Sequence, residues 1–448
     1  MNIGDANIGL ISLAAVVVAI LLKVPVGIAL LTTSYLGLWC LSGWSVAWGT
    51  LGIIPYNFAA SWILSSLPMF LLLGFICQHM QLSNELLKLA TILLSRIPGG
   101  LAIAAVLGAS AFASICGSSI ACSATIGRVA VPVMLDAKYD AQLAAGTVAV
   151  AGTVGALIPP SIILIIYSVF AQVSVTELFL GGLFAGVLTA IGYVVVILVR
   201  VRLQPHLAPA ADTSFTARER VVATLSCWHL LLLGGVVLAG ILGGFLTPTE
   251  AGAVSVALAC VIAIYKRTFS VPRLIQSICE AAVTTSALII IGIGASMLAR
   301  LLSLSGASTL ITDAVLALDA DPLLFLLGLV IVYLVLGLFL DPIGSMLLTL
   351  PIVLPLVSDA GFGLVWFGVV LTKLLEIGMI TPPVGMNVFV IKAVVGDRVE
   401  TSSIFKGIVW FLLMDLAILL LLLGSPEIIF FLPFPLWSMN SLSIGSIG

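Results

Sequence analysis

Residues 376–385 read Glu-Ile-Gly-Met-Ile-Thr-Pro-Pro-Val-Gly, and residues 152–161 read Gly-Thr-Val-Gly-Ala-Leu-Ile-Pro-Pro-Ser. Each lies inside an apolar run of helical length, 363–396 and 141–172. Proline removes an amide donor, and its ring clashes with the carbonyl one turn back. Two in succession, after a glycine, predict that each helix unwinds in mid-course. A packing kink is the other reading of a single pair. The same break in both halves favours a shared role. Freed carbonyls beside a Ser or Thr hydroxyl are hard ligands suited to Na⁺, and half-helix N-termini favour anions.

The pairing extends along the chain. An offset of 223 residues places Pro25 on Pro248, Pro132 on Pro355, and Pro159-Pro160 on Pro382-Pro383. Asp136 meets Asp359 and Gly155 meets Gly378 at the same offset. A single gap-free offset serves the beginning and end of each half, which predicts an internal duplication of the kind found in secondary transporters.

Composition sets the solvent. Hydrophobic residues make up 62% of the 448, and charged residues 8%, against about 25% charged in ordinary soluble domains. A surface built from this composition belongs in lipid, where a crossing helix needs about 20 apolar residues. Apolar runs lie at 8–22, 25–42, 57–80, 98–116, 120–135, 141–172 and 178–199, then at 228–246, 250–265, 275–302, 322–340, 343–358, 363–396 and 403–424. The first run has no basic flank or cleavage site and is read as a mature span. No stretch has the basic density of a nucleic-acid site. The seven cysteines lack metal-site spacing and are read as small apolar filler.

Charge gives an orientation, because basic loops stay in the cytoplasm. With the N-terminus periplasmic and 98–135 treated as a hairpin that enters and returns, 14 of the 17 lysines and arginines fall inside. The other three, Arg128, Arg300 and Lys373, lie within apolar runs, and Asp313, Asp319 and Asp321 cluster outside. The expected fold is an all-α polytopic membrane protein with an inverted repeat. Each half has about five spans, one re-entrant hairpin and one Pro-Pro-broken helix. The halves are 1–199 (hairpin 98–135, broken helix 141–172) and 226–424 (hairpin 322–358, broken helix 363–396). A cytoplasmic linker, 200–225, joins them, and a periplasmic C-terminal tail, 425–448, follows. Two short full spans per hairpin are the alternative, and the charge count favours hairpins.

The hairpin tips are small and turn-prone: Cys116-Gly117-Ser118-Ser119 in the first half and Leu340-Asp341-Pro342-Ile343-Gly344 in the second. Non-helical backbone at membrane depth survives only where protein or a wet cavity satisfies it.

At this point the chain resembles a known family. The residues that carry the resemblance are Gly117-Ser118-Ser119, Gly155-Ala-Leu-Ile-Pro-Pro-Ser161, Thr247-Pro-Thr-Glu-Ala251 and Ile380-Thr-Pro-Pro-Val-Gly-Met-Asn387, in order and over nearly the whole chain. It looks like the large membrane subunit (the DctM-like M subunit) of TRAP, or tripartite ATP-independent periplasmic, transporters. The resemblance implies an elevator-type inverted repeat in the bacterial inner membrane that imports an organic acid with Na⁺. The implied partners are a small four-helix membrane subunit, expected here as a separate chain, and a periplasmic solute-binding protein. By family pattern, one Na⁺ lies between the first hairpin (Ser114, Ser118) and the break at Gly155, Ile158 and Pro160. A second lies between Gly337 and the break at Gly378, Thr381 and Val384. The implied substrate contacts are Ser118, Ser119, Arg128, Pro160, Ser161, Asp341, Pro382 and Asn387.

Arg128 departs from the family, whose members usually carry a small or apolar residue near this position. It is open to two readings, a contact for an anionic substrate or a side chain snorkelling to the cytoplasmic face. Lys373 and Glu376 are three apart and can pair on one helix face; with Asp341 they form either a structural cluster or a substrate contact. Asp415 has no partner visible in the sequence. An intramembrane enzyme is disfavoured, since His79, His206 and His229 are far apart and neither His-Glu-x-x-His nor Gly-x-Ser-x-Gly occurs. A channel is disfavoured by paired midplane breaks, which suit alternating access. A stand-alone ion-coupled anion carrier of similar repeat remains the runner-up. The absence of a Walker loop points to an ion gradient as the energy source.

Overall fold

Every regular element among the described residues of the computed structural model is helical. The structure describes residues 3–82, 84–94, 97–209, 216–316 and 322–430. Linker residues 210–215, Arg96, the acidic pair Asp319 and Asp321, and the tail from 431 lie outside that description.

The first half runs α1 (Ile3–Leu21), α2 (Val26–Ser42), α3 (Trp44–Ala59), α4 (Ser66–His79), α5 (Asn84–Leu94), α6 (Gly100–Cys116), α7 (Ser119–Asp136), α8 (Ala141–Ala151), α9 (Ile162–Ala171) and α10 (Val175–Leu203). After α11 (Ala217–Ser226) come α12 (Trp228–Leu242), α13 (Pro248–Tyr265), α14 (Val271–Ser305), α15 (Ala307–Leu316), α16 (Pro322–Gly337) and α17 (Pro342–Asp359). The chain ends on α18 (Leu364–Ile380), α19 (Met386–Val395) and α20 (Thr401–Gly424). Eight helices among the described residues are long and apolar enough to cross a membrane.

Helix boundaries recur at the offset already seen in the prolines. Helix α7 falls on α17 end to end, Ser119 on Pro342 and Asp136 on Asp359. Likewise α1 falls on α12, α2 on α13, α5 on α15, α6 on α16, α9 on α19 and α10 on α20 within a few residues, and α8 with the 3-10 turn that follows it falls on α18. The longest helix, α14, differs from its counterpart segment. Its 35 residues are continuous where the first half is broken into α3 and α4, with an irregular link at Ala60-Ser61.

Four elements lie outside the sequence expectation. Helix α3 occupies the gap before 57 and carries exposed Trp44, Trp48 and Tyr56, so its glycines and aromatics hide its helicity from a hydropathy reading. Helices α5 and α15 are short connectors that precede the two hairpins. The linker 200–225 is partly helical: α10 extends through Arg200 to Leu203, and α11 opens on a Thr216–Glu219 capping box. Arg200 is buried and donates to the carbonyl of Gly407 at 3.2 Å.

Packing sorts the helices into two neighbourhoods. In one, α14 lies against α1, α2, α3 and α4, and α13 packs on α4. In the other, α6, α7, α8, α10 and α18 pack around the first broken segment, and α19 and α20 pack on α8. The two meet where α4 and α12 touch α6 and where α14 touches α17.

Candidate functional site

The first hairpin closes in two residues. Gly117 ends α6 at φ +60°, a left-handed conformation that glycine adopts without strain. Ser118 then caps α7 by accepting from the amide of Ala121. The tip is pressed into the first break. A methyl group added to Gly117 would collide with the carbonyl oxygen of Pro160. The amide of Ile162 donates back to the Gly117 carbonyl at 3.4 Å.

The break itself follows from the prolines. Helix α8 ends at Ala151, a short 3-10 turn covers Gly152–Ala156, and α9 starts after Ser161, whose hydroxyl accepts from the amide of Leu164. Both proline pairs, Pro159-Pro160 and Pro382-Pro383, have a cis bond. Among the described residues no amide donates to the carbonyls of Gly155, Ala156, Leu157, Ile158, Pro159 or Pro160, although residues 151–168 are all buried. A buried carbonyl without a partner costs of the order of 1–3 kcal/mol. Six together favour an ion or ordered solvent as the missing partner. This donor set fits Na⁺, a hard cation.

The second break is built from the same parts with different exposure. Helix α18 ends at Thr381, and α19 begins after Gly385. Among the described residues the carbonyls from Met379 to Val384 also accept no amide. The hydroxyl of Thr381 donates to the Ile377 carbonyl at 2.6 Å, which leaves its oxygen lone pairs free. Gly337 and Gly378 meet backbone to backbone: a methyl group on Gly378 would lie 2.7 Å from the Gly337 α-carbon. Pro382 and Pro383 are exposed, whereas Pro159 and Pro160 are buried.

The register of the first site differs from the repeat-based pairing. The 223-residue offset makes Ser114 the counterpart of Gly337, and Ser114 and Ser118 are the two hairpin residues expected at the first site. In the structure Gly155 faces the carbonyl of Ser118, one turn further on, at 3.3 Å from an added methyl position. The Ser114 hydroxyl donates to the Ala111 carbonyl and lies against Gly234 of α12.

A cavity of about 190 Å³ opens between the two tips. Gly117, Ser118, Ser119 and Ile120 line it from the first hairpin, and Asp341, Pro342 and Ile343 from the second. Ala156, Ile162 and Ile163 come from the first break, Glu376 and Met379 from α18, and Thr284 and Leu288 from α14. The N-termini of α7 and α17 both open onto it, and such ends carry about half a positive charge each. The Asp341 carboxylate caps α17 through the amide of Gly344 at 2.8 Å. Among the described residues the lining has no basic side chain. The cavity is therefore a small, mostly apolar chamber whose positive features are backbone amides.

Several expected contacts lie elsewhere. Arg128 is exposed on α7, outside the cavity. Asn387 is buried on α19 and donates to the Ala149 carbonyl at 3.4 Å. Pro160 and Ser161 border the first tip but are not in the lining, and Pro382 is on an exposed turn.

The intramembrane charges pair differently from the sequence expectation. Lys373 is bonded to Asp415 of α20 at 2.5 Å, and not to Glu376. Adjacent members of a helix turn diverge when each has a better partner across a helix interface. Glu376 accepts from the Ser119 hydroxyl at 2.6 Å, and Asp341 takes no part in the pair. Sequence reasoning missed Tyr193, Thr189 and Thr153, which complete the Lys373–Asp415 cluster. The signal available in the sequence was Asp415, a carboxylate inside an apolar run with no visible partner.

Broken helices facing hairpin tips across a small cavity, in a chain of apolar helices, define a membrane transport permease. Residues 13–428 match the family described as the tripartite ATP-independent periplasmic transporter, DctM component, and the chain belongs to that family. It is 32% identical to the C4-dicarboxylate TRAP transporter large permease protein DctM of Pseudomonas aeruginosa, over 86% of this chain and 89% of that one. It is 29% identical to the isethionate TRAP transporter permease protein DctMQ of Oleidesulfovibrio alaskensis, over 84% of this chain but only 60% of that protein's length. The fold is similar to the crystal structure of the YdaH transporter of Alcanivorax borkumensis, with a TM-score of 0.61, 16% identity, and coverage of 87% of this chain and 90% of that one.

Proposed function

We propose that this chain is the large permease subunit of a Na⁺-coupled TRAP transporter that imports an organic acid across the bacterial inner membrane. The observation that carries the reading is the meeting of each hairpin with a broken helix whose carbonyls lack donors. One Na⁺ would sit at the first break, between Ser118 and the carbonyls from Gly155 to Pro160. The other would sit between Gly337 and Gly378, Thr381 and Val384. A bound Na⁺ would supply positive charge that the cavity lining lacks, so substrate and ion would favour each other's binding. The substrate carboxylate would face the N-terminus of α7, with the Ser118 hydroxyl as a donor, since the Ser119 proton is held by Glu376 and Asp341 already caps α17.

In this reading the two halves form an inverted repeat with both termini periplasmic, and the tips move together as an elevator against the neighbourhood of α14. The carboxylate and sulfonate substrates in the names of the relatives support an organic acid as cargo. The partners are the small four-helix membrane subunit and a periplasmic solute-binding protein. The test is reconstitution in liposomes under an inward Na⁺ gradient, adding the small subunit and a matched binding protein in turn. Uptake is expected only with all three components and Na⁺. Strong Na⁺-driven uptake by this chain alone would replace the tripartite reading with a stand-alone carrier.

A further inference from the structure

The two broken helices are joined by a chain of buried side chains. Glu376 and Thr153 are counterparts at the 223-residue offset, each two residues before the glycine of its break. Glu376 accepts from Ser119 at the first hairpin tip. Thr153 shares a 3.0 Å hydrogen bond with the hydroxyl of Tyr193 on α10. Tyr193 in turn donates to Asp415 on α20, 2.8–2.9 Å from its two oxygens. Asp415 pairs with Lys373, one turn before Glu376 on α18, and Lys373 also donates to Thr189 at 3.1 Å. Every one of these side chains is buried.

We propose that Tyr193 and Asp415 are positioning residues for the first cation site: they anchor Thr153, and through it hold the unbonded carbonyls from Gly155 to Pro160 at a fixed spacing. The inference rests on the Na⁺ reading above and deepens it. A 3-10 turn has poor internal hydrogen-bond geometry and needs outside support to keep one shape. With the Tyr193 proton committed to Asp415, the Thr153 hydroxyl donates to Tyr193, with the Val150 carbonyl 2.7 Å away as its second acceptor, so it ties the last turn of α8 to α10. Asp415 orients the tyrosine, because its two oxygens accept from the phenol and from Lys373 together. Lys373 neutralises Asp415, so the anchor carries no net charge that would compete for the cation. The same lysine lies on the helix that leads into the second break. A shift of α18 is therefore felt at the first break through four side chains rather than through bare backbone.

A positioning role predicts a change in cation affinity, whereas a merely structural role predicts loss of protein. The complete three-component transporter in liposomes is the material, with external Na⁺ as the probe. Tyr193→Phe keeps the ring and the Lys373–Asp415 pair but removes the link to Thr153. The Na⁺ concentration for half-maximal uptake should rise about five- to tenfold, the worth of one hydrogen bond, and by more than the maximal rate falls. Thr153→Val should do the same, Thr153→Ser should restore the wild-type value, and the double variant Tyr193→Phe/Thr153→Val should be no worse than either single change. A Na⁺-dependent wild type with both Tyr193→Phe and Thr153→Val unmoved in half-saturation would overturn the inference alone. A wild type indifferent to Na⁺ would overturn the coupling on which it rests.

Discussion

The Ser119 hydroxyl donates a 2.6 Å hydrogen bond to Glu376, which ties the first hairpin tip to the helix that leads into the second break. The bond spans 257 residues of sequence and is wholly buried. Neither partner can turn to bulk water instead.

Removing the donor should therefore destabilise the protein. Ser119→Ala leaves that carboxyl oxygen without a partner, at a cost of about 1–3 kcal/mol. The thermal midpoint of the purified protein in detergent should fall, and Ser119→Thr should recover part of the loss. A midpoint unchanged by Ser119→Ala would mean that the bond contributes nothing.

The Lys373–Asp415 pair gives a second stability prediction. Each side chain is 1% exposed. Breaking a buried pair from one side strands a charge and costs about 3–5 kcal/mol. Lys373→Met and Asp415→Asn should each lower the folded yield and the thermal midpoint sharply. The double variant should recover most of the loss. It strands neither charge, and the amide oxygen that Asp415→Asn introduces can still accept from Tyr193. Equal losses in all three variants would argue against the pair.

Much of this architecture is legible in the sequence. The proline pairs locate both breaks, and the offset that aligns them also aligns most helix boundaries, because similar stop signals recur at that offset. The site is legible in part. Gly337 and Gly378 do touch, and of the two first-hairpin residues expected at the first site Ser118 faces Gly155 whereas Ser114 lies against Gly234. Periodicity fixes which residues correspond, not how far one helix slides along another. Lys373 and Asp415 are 42 residues apart on different helices, so pairing by helical spacing chose Glu376 instead. The connector helices α5 and α15 escaped because, at 11 and 10 residues, they are too short for a window that looks for a membrane span.

At the second break, Thr381 presents a hydroxyl whose proton is committed to Ile377. Its lone pairs remain available, which is what a cation ligand requires. Thr381→Val keeps the volume and removes the oxygen. Uptake should then need several times more Na⁺, while the amount of folded protein is little changed. Thr381→Ser should behave as wild type. Na⁺ dependence unaltered in Thr381→Val would take this residue out of the site.

The orientation can be tested at two exposed turns. Three helices end on a basic residue with a left-handed backbone: Lys23 after α1 at φ 65°, Lys138 after α7 at 62° and Arg267 after α13 at 58°. Cations at helix C-termini are favoured by the dipole, and the positive-inside rule predicts that all three ends face the cytoplasm. The expected position of the α12–α13 turn is then periplasmic and that of the α19–α20 turn cytoplasmic. Phe245 lies in the first turn and is 84% exposed, and Asp397 lies fully exposed in the second. Single cysteines at these positions, in a background without the seven native ones, should separate under an impermeant thiol reagent. Intact cells should label Phe245→Cys only, and permeabilised cells should label both. Labelling of Asp397→Cys from outside, with Phe245→Cys protected, would reverse the orientation and detach the charge pattern from the fold.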